Sequence, residues 1–135
     1  MLEHVAIWTR DLEGMKDFYC AYFDGKAGAK YRSKSAAHPN FESYFLTFGD
    51  GSRLELMQMP TIPESAYAPG QEALGLTHIA FAAGGTDEVD ALAKRAHAEG
   101  RPVLLEPHRT GDGYYEACIL DPDGNRVEVT TLPEA

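Results

Sequence analysis

Cysteine, tryptophan, basic charge and long apolar runs are all scarce in this chain. Its two cysteines, Cys20 and Cys118, fall in a predicted helix and a predicted strand outside every repeated motif. Neither a disulfide framework nor a thiolate metal site is therefore expected, and both thiols are read as reduced and partly buried. Lys and Arg number 12 against 21 Asp and Glu, giving a formal charge of −9. That balance excludes nucleic acid as a partner, because a duplex binder needs basic side chains to displace condensed counterions. No apolar run approaches the roughly 18 residues of a spanning helix, and the N-terminus lacks the basic-then-apolar pattern of a signal peptide. A cytoplasmic protein with no membrane partner is the expectation. The 135 residues suffice for one compact domain built from two half-size modules.

What is present is a heptapeptide that occurs twice. Asp50-Gly51-Ser52-Arg53-Leu54-Glu55-Leu56 returns as Asp123-Gly124-Asn125-Arg126-Val127-Glu128-Val129. Each copy reads as a turn dipeptide followed by a short strand with one carboxylate between two apolar neighbours. Upstream, His4-Val5-Ala6-Ile7 is matched by His78-Ile79-Ala80-Phe81; the histidines lie 74 residues apart and the glutamates 73. Such self-similarity predicts two structurally equivalent halves, each carrying one His and one Glu.

The elements between these landmarks repeat in the same order. In the first module, residues 1–59, a strand over 4–9 leads to a helix opened by Asp11. Leu12, Met15, Phe18, Tyr19 and Tyr22 mark its buried face, and Gly25 marks its stop. Strands over 29–33, 42–48 and 53–58 follow. Residues 60–75, rich in Pro, Gly and small side chains, read as a linker. In the second module, residues 76–135, a strand over 76–82 precedes a helix with Thr86 as N-cap and Asp87 and Glu88 in its first turn. Val89, Leu92, Ala93 and Ala96 form its apolar face, and Gly100 ends it. Strands over 103–106, 114–120 and 126–130 complete it. The fold class is α+β, two tandem βαβββ modules in a single domain.

Side chains alternate along a strand, so Glu55 and Glu128 point away from the Leu and Val residues that pack beneath the helices. His4 and His78 separate from their apolar neighbours in the same way. Taken singly, each of the four has an ordinary solvent-facing reading, but independent surface residues have no reason to recur in matched pairs. Two neutral imidazoles and two carboxylates balance one divalent cation. The set suits zinc or nickel and is too nitrogen-rich for calcium. Arg53 and Arg126 share faces with their glutamates, as orienting groups or as screens for acidic neighbours.

On these landmarks, together with Phe18-Tyr19 and Leu120-Asp121-Pro122-Asp123-Gly124-Asn125-Arg126, the chain resembles the vicinal oxygen chelate superfamily along essentially its whole length. Within it, the full His, Glu, His, Glu set resembles the glyoxalase I (lactoylglutathione lyase) branch. The resemblance implies a curved open mixed sheet or barrel around a metal held by His4, Glu55, His78 and Glu128. Ni2+ or Zn2+ is the first choice, with Co2+, Mn2+ and Fe2+ as further candidates. It implies a lyase detoxifying methylglyoxal: a thiohemiacetal of a 2-oxoaldehyde becomes a 2-hydroxyacyl thioester through an enediolate chelated by the cation. Glu128, released when substrate binds, is the implied base, and Glu55 is either a permanent ligand or a second proton-transfer group. A homodimer is also implied.

The substrate side departs from that branch. An arginine holding a glutathione carboxylate usually lies four residues after the first ligand, and Trp8 stands there instead. Trp8 shares the His4 face by strand alternation, so it is read either as an indole over the site or as a core residue. Arg109, His108 and Tyr115, placed at a loop and the strand after it, are the other substrate-side candidates. Glutathione or another thiol would serve as co-substrate. The competing readings are an epimerase, an iron extradiol dioxygenase, or a metal-free antibiotic-binding resistance protein using Trp8 and tyrosines as a stacking cleft.

Overall fold

A computed structural model describes residues 1–132; positions 133–135, the end of the expected second module, lie outside the described residues. The chain divides into two compact units, Met1–Ser65 and Ala66–Ala135. The expected linker is thus split, with 66–75 folded as part of the second unit.

In the first unit, strand β1 (Val5–Trp8) is followed by helix α1 (Leu12–Phe23). Asp11 caps α1 by accepting a hydrogen bond from the Gly14 amide at 2.9 Å. Leu12, Met15, Phe18, Tyr19 and Tyr22, spaced by three and four residues, are all buried. They pack on strands β4 (Glu42–Thr47) and β5 (Arg53–Gln58), whose Leu46, Leu54 and Leu56 are buried beneath them. Burying each such side chain is worth about 1.5–3 kcal/mol, so this apolar layer holds the sheet to the helix. The left-handed residue ending α1 is Asp24, at φ 55°, rather than the expected Gly25. Gly25 matters for space instead: a Cβ there would lie 3.1 Å from the Phe48 ring.

The single strand expected over 29–33 is two short ones, β2 (Lys26–Ala27) and β3 (Tyr31–Arg32), both antiparallel to β4. From Ala27↔Leu46 to Tyr31↔Ser43 the chain advances four residues on one side and three on the other. That one-residue excess is a bulge, and Gly28 sits in it with its amide donating to the Phe45 carbonyl at 2.9 Å. The sheet order is β1-β5-β4-β2, with β1 parallel to β5.

The second unit repeats this plan with strand β6 (His78–Ala82), helix α2 (Thr86–Ala98), and strands β7 (Val103–Arg109), β8 (Tyr115–Leu120) and β9 (Arg126–Thr130) in the order β6-β9-β8-β7. Val89, Ala93 and Ala96 of α2 are buried, while Leu92 is half-buried. The α2 N-cap is Gly85, one residue before the expected Thr86, and it makes no side-chain cap bond. Strand β7 runs through Pro107 to Arg109, where a loop was expected from His108. An edge strand tolerates proline because its outer amides need no partner, and two register shifts between β7 and β8 absorb the irregularity.

Segment 66–75 lies against the β8–β9 turn. The Gly70 amide donates to the Gly124 carbonyl at 2.9 Å, and Arg126 Nη1 donates to the Gly70 carbonyl at 3.2 Å. Gly124, at φ 84°, leaves room for Pro69, which a Cβ would approach to 2.5 Å. Among the described residues no helix is long and apolar enough to cross a membrane. Both cysteines are free; Cys118 is buried and Cys20 half-buried. The fold is α+β.

Candidate functional site

The parallel pairing of first and last strands places the donors in each unit. In the first, Ala6 pairs with Glu55; in the second, Ala80 pairs with Glu128. Each histidine precedes that alanine by two residues and so shares the glutamate's side of the sheet, opposite the helix. A methyl group beside each carboxylate leaves the space over the strand open.

His4 Nε2 stands 3.5 Å from Glu55 Oε2, and His78 Nε2 stands 3.6 Å from Glu128 Oε2. The glutamate side chains are only 14% and 17% exposed. Two donors bound to one ion at about 2.1 Å lie about 3.0 Å apart at a right angle and about 3.4 Å apart at the tetrahedral angle. Each pair therefore fits two positions of a divalent cation with little adjustment, and nitrogen plus carboxylate oxygen is a donor set such ions accept. Each unit supplies two donors; among the described residues no group of three or more His, Cys, Asp or Glu side chains is assembled as a metal site.

The surroundings of the two pairs differ. His4 Nδ1 donates to Glu3, which also accepts from Arg53 Nη1. That contact fixes the tautomer and turns Nε2 toward Glu55, as outer carboxylates do for metal-binding histidines. The His4 bond, with Arg53 adding to it, holds the Glu3 carboxyl below its usual range. The Arg53 guanidinium lies 4.1 Å over the Phe45 ring, and Phe45 meets the His4 ring edge-on at 5.2 Å. In the second unit the counterpart of Glu3 is Thr77, and Arg126 turns to Gly70 and to Glu72, 3.5 Å away.

Glu128 instead has acidic company. In β8, Cys118 pairs with Glu128, and Glu116, two residues earlier, lies on the same side. Burial first, and then the charge and hydrogen bond of Glu128, push the Glu116 carboxyl above its usual range. His108, opposite Glu116 in β7, brings Nε2 to 3.9 Å from it and donates Nδ1–H to the Glu106 carbonyl.

Trp8 lies on the His4 side, 41% exposed, with Phe41 edge-on at 6.0 Å. Tyr115 and Arg109 fall on the other side of their sheet. Tyr115 is two residues from the buried Ala117 on the helix side, its hydroxyl donates to Asp90 of α2 at 2.6 Å, and Arg109 stacks on its ring at 5.7 Å. Alternation thus turns these two away from Glu128 and turns His108 and Glu116 toward it. Glu3, Phe45 and Glu116 escaped the sequence reading. The signal for Glu116 was available: a carboxylate in an otherwise apolar strand, in step with Glu128 across a short turn.

Two βαβββ units, each closing its first strand on its last and setting a His beside a Glu away from its helix, define a fold of repeated modules with repeated His–Glu pairs. The model of the Glyoxalase/Bleomycin resistance protein/Dioxygenase superfamily matches residues 1–129, and the chain belongs to that superfamily. A lactoylglutathione lyase from Agrobacterium tumefaciens is 28% identical, with 97% of this chain and 92% of that chain covered at a TM-score of 0.66. The fosfomycin resistance protein FosX from Listeria monocytogenes, solved with Mn(II) and sulfate, is 20% identical over 98% and 92%, at 0.69. The trypanothione-dependent glyoxalase I of Leishmania major is 21% identical over 97% and 86%, at 0.73. Comparison with curated proteins gave no match.

Proposed function

We propose that the chain is a divalent-metal enzyme of the glyoxalase I type, converting the thiohemiacetal of a 2-oxoaldehyde and a thiol into a 2-hydroxyacyl thioester. The observation that carries this reading is the recurrence of one His–Glu pair, in equivalent register and at 3.5 and 3.6 Å, in both units. The ligands this reading assigns are His4 and Glu55 of the first unit and His78 and Glu128 of the second, which would hold Ni2+ or Zn2+, within a chain or by exchange between two copies. A cation held by them would supply Lewis acidity toward the substrate oxygens.

The chain's own residues supply the proton traffic. A base within hydrogen-bond reach must take a proton from the carbon bearing the hydroxyl and return it to the neighbouring carbon, while the hydroxyl proton passes to the former carbonyl oxygen, so that no atom is gained or lost. Glu128 is assigned that role, with Glu55 as the permanent ligand. The asymmetry supports the assignment: Glu55 lies beside Phe45, whereas Glu128 has Glu116 and, beyond it, His108 at hand. The likeness to the Agrobacterium lactoylglutathione lyase supports the reaction class.

Metal analysis of full-length protein should find close to one ion per chain, with turnover of methylglyoxal plus glutathione or another thiol. Glu128→Gln should lower turnover by about 10²–10⁴-fold, the usual worth of a positioned base, while circular dichroism stays that of the folded chain. Retained activity removes the assigned base. A metal content near zero that nickel, cobalt or zinc cannot restore removes the enzyme reading and leaves a binding protein.

A further inference from the structure

Beside the His4–Glu55 pair the first unit carries a row of side chains that chelation does not use. Across four strands, Tyr31 of β3 pairs with Ser43 of β4, Ser43 with Met57 of β5, and Met57 with Trp8 of β1. The adjacent row on the same side is Phe45, Glu55 and Ala6. Same-side rows along a strand are about 6.6 Å apart, roughly the width of one aromatic ring. Phe41 bridges the outer row, edge-on to Trp8 at 6.0 Å and to Tyr31 at 6.2 Å. Ser43 beneath is buried, while Trp8 and Tyr31 stay 41% and 56% exposed.

The result is a shelf of three touching rings with a thioether beneath, one row from the carboxylate of a chelating pair. Its row contains no charged side chain. Arg10, two residues beyond Trp8, is committed to Glu64 and to the Ile62 carbonyl, and Arg32 faces Glu42 at 3.5 Å. Such a surface offers an acidic thiol no counter-charge. It offers a flat apolar group ring faces, ring edges and polarisable sulfur.

We propose that this shelf is the substituent subsite of the substrate, and that the substrate is a small molecule with two adjacent oxygens carrying an aryl group. The inference rests on the metal-enzyme reading for the placement of the oxygens, and on the β1–β5–β4–β3 row for the ring. The spacing lets an aryl group attached directly to the oxygen-bearing carbons reach Trp8 while the oxygens stay at Glu55.

The chain contains a single tryptophan, so its emission reports on this shelf alone. Full-length protein, zinc-loaded and separately chelator-treated, is titrated with mandelate and with lactate, which present the same oxygens with and without the ring. Mandelate should quench the emission saturably in both forms, with half-saturation at least tenfold below that for lactate. By calorimetry, Trp8→Phe should keep most of that preference, and Trp8→Ala and Tyr31→Ala should each reduce it severalfold. Equal affinities for the two acids, or no saturable response to mandelate, overturn the proposal. So does a blue shift that grows with protein concentration alone, since a second copy would then cover the shelf. An aryl preference that survives chelation in a chain without metal-dependent turnover sinks only the enzyme reading; turnover without an aryl preference sinks only the subsite.

Discussion

Alternation along β8 decides which of its side chains meet the His78–Glu128 pair. Tyr115 falls on the helix side, where its hydroxyl holds Asp90 at 2.6 Å, a bond that also raises its own proton affinity. Tyr115→Phe should therefore cost about 0.5–1.5 kcal/mol in urea unfolding, the net worth of one hydrogen bond, and leave KM and kcat unchanged. A change in KM with unchanged stability would return Tyr115 to the substrate side. The two His–Glu pairs were legible at this scale, because a repeated His and Glu need only a period-two count to fall on one side of a sheet. Glu3 was not, since its role depends on a side-chain rotamer reaching across to both His4 and Arg53. The face taken by Tyr115 and Arg109 was not legible, because it follows from Tyr115 keeping step with Ala117 and from Arg109 of β7 pairing with Tyr115, beyond two register shifts.

At the scale of elements, α1 is tied to β4 by charge as well as by apolar packing. Glu13 accepts from Lys16 and Lys30, each at 2.8 Å, and from the Tyr44 hydroxyl at 2.9 Å. The Lys16 bond, then Lys30 and Tyr44, bring its carboxyl down from 4.5 to about 2. A carboxylate depressed by folding stabilises the native state fully above its ordinary value, and this contribution is lost as pH falls through 4.5 toward 2. The difference in urea midpoint between the native chain and Glu13→Gln should be present at pH 7 and shrink by pH 3. Because Glu13 is half exposed, added salt should reduce it too. A difference that is constant with pH would assign the effect to helix propensity. The helix itself was readable from its three-and-four spacing. The broken β2–β3 strand was not, because Gly28 signals a bulge only once its partner strand is known.

For the whole molecule, the duplication made the architecture legible from sequence: both copies keep the turn, the strand and the donor in order. The division at Ser65 was not, since it depends on Gly70 and Pro69 packing against the β8–β9 turn, a contact with no period to read. If both units serve one ion, binding couples to the stability of the chain as a whole. At a free-metal concentration 100 times Kd the gain is about 2.7 kcal/mol, a rise in Tm on the order of 10 °C. Calorimetric scans with zinc and with chelator should show that rise, and His4→Ala and His78→Ala should each abolish it. Half the rise surviving in either variant would mean that each unit captures an ion alone.

Parallel closure of β1 on β5 and of β6 on β9 puts the two halves of each His–Glu pair about as far apart along their unit as the chain allows. Neither pair exists until roughly fifty intervening residues have folded and the ends of that loop have met, a closure whose entropy must already be offset by the helix and hairpin. If these pairs bind an ion, its capture is thereby reserved for finished units. A nascent or nicked chain, holding the same four residues, would carry imidazole and carboxylate without the grip to hoard metal.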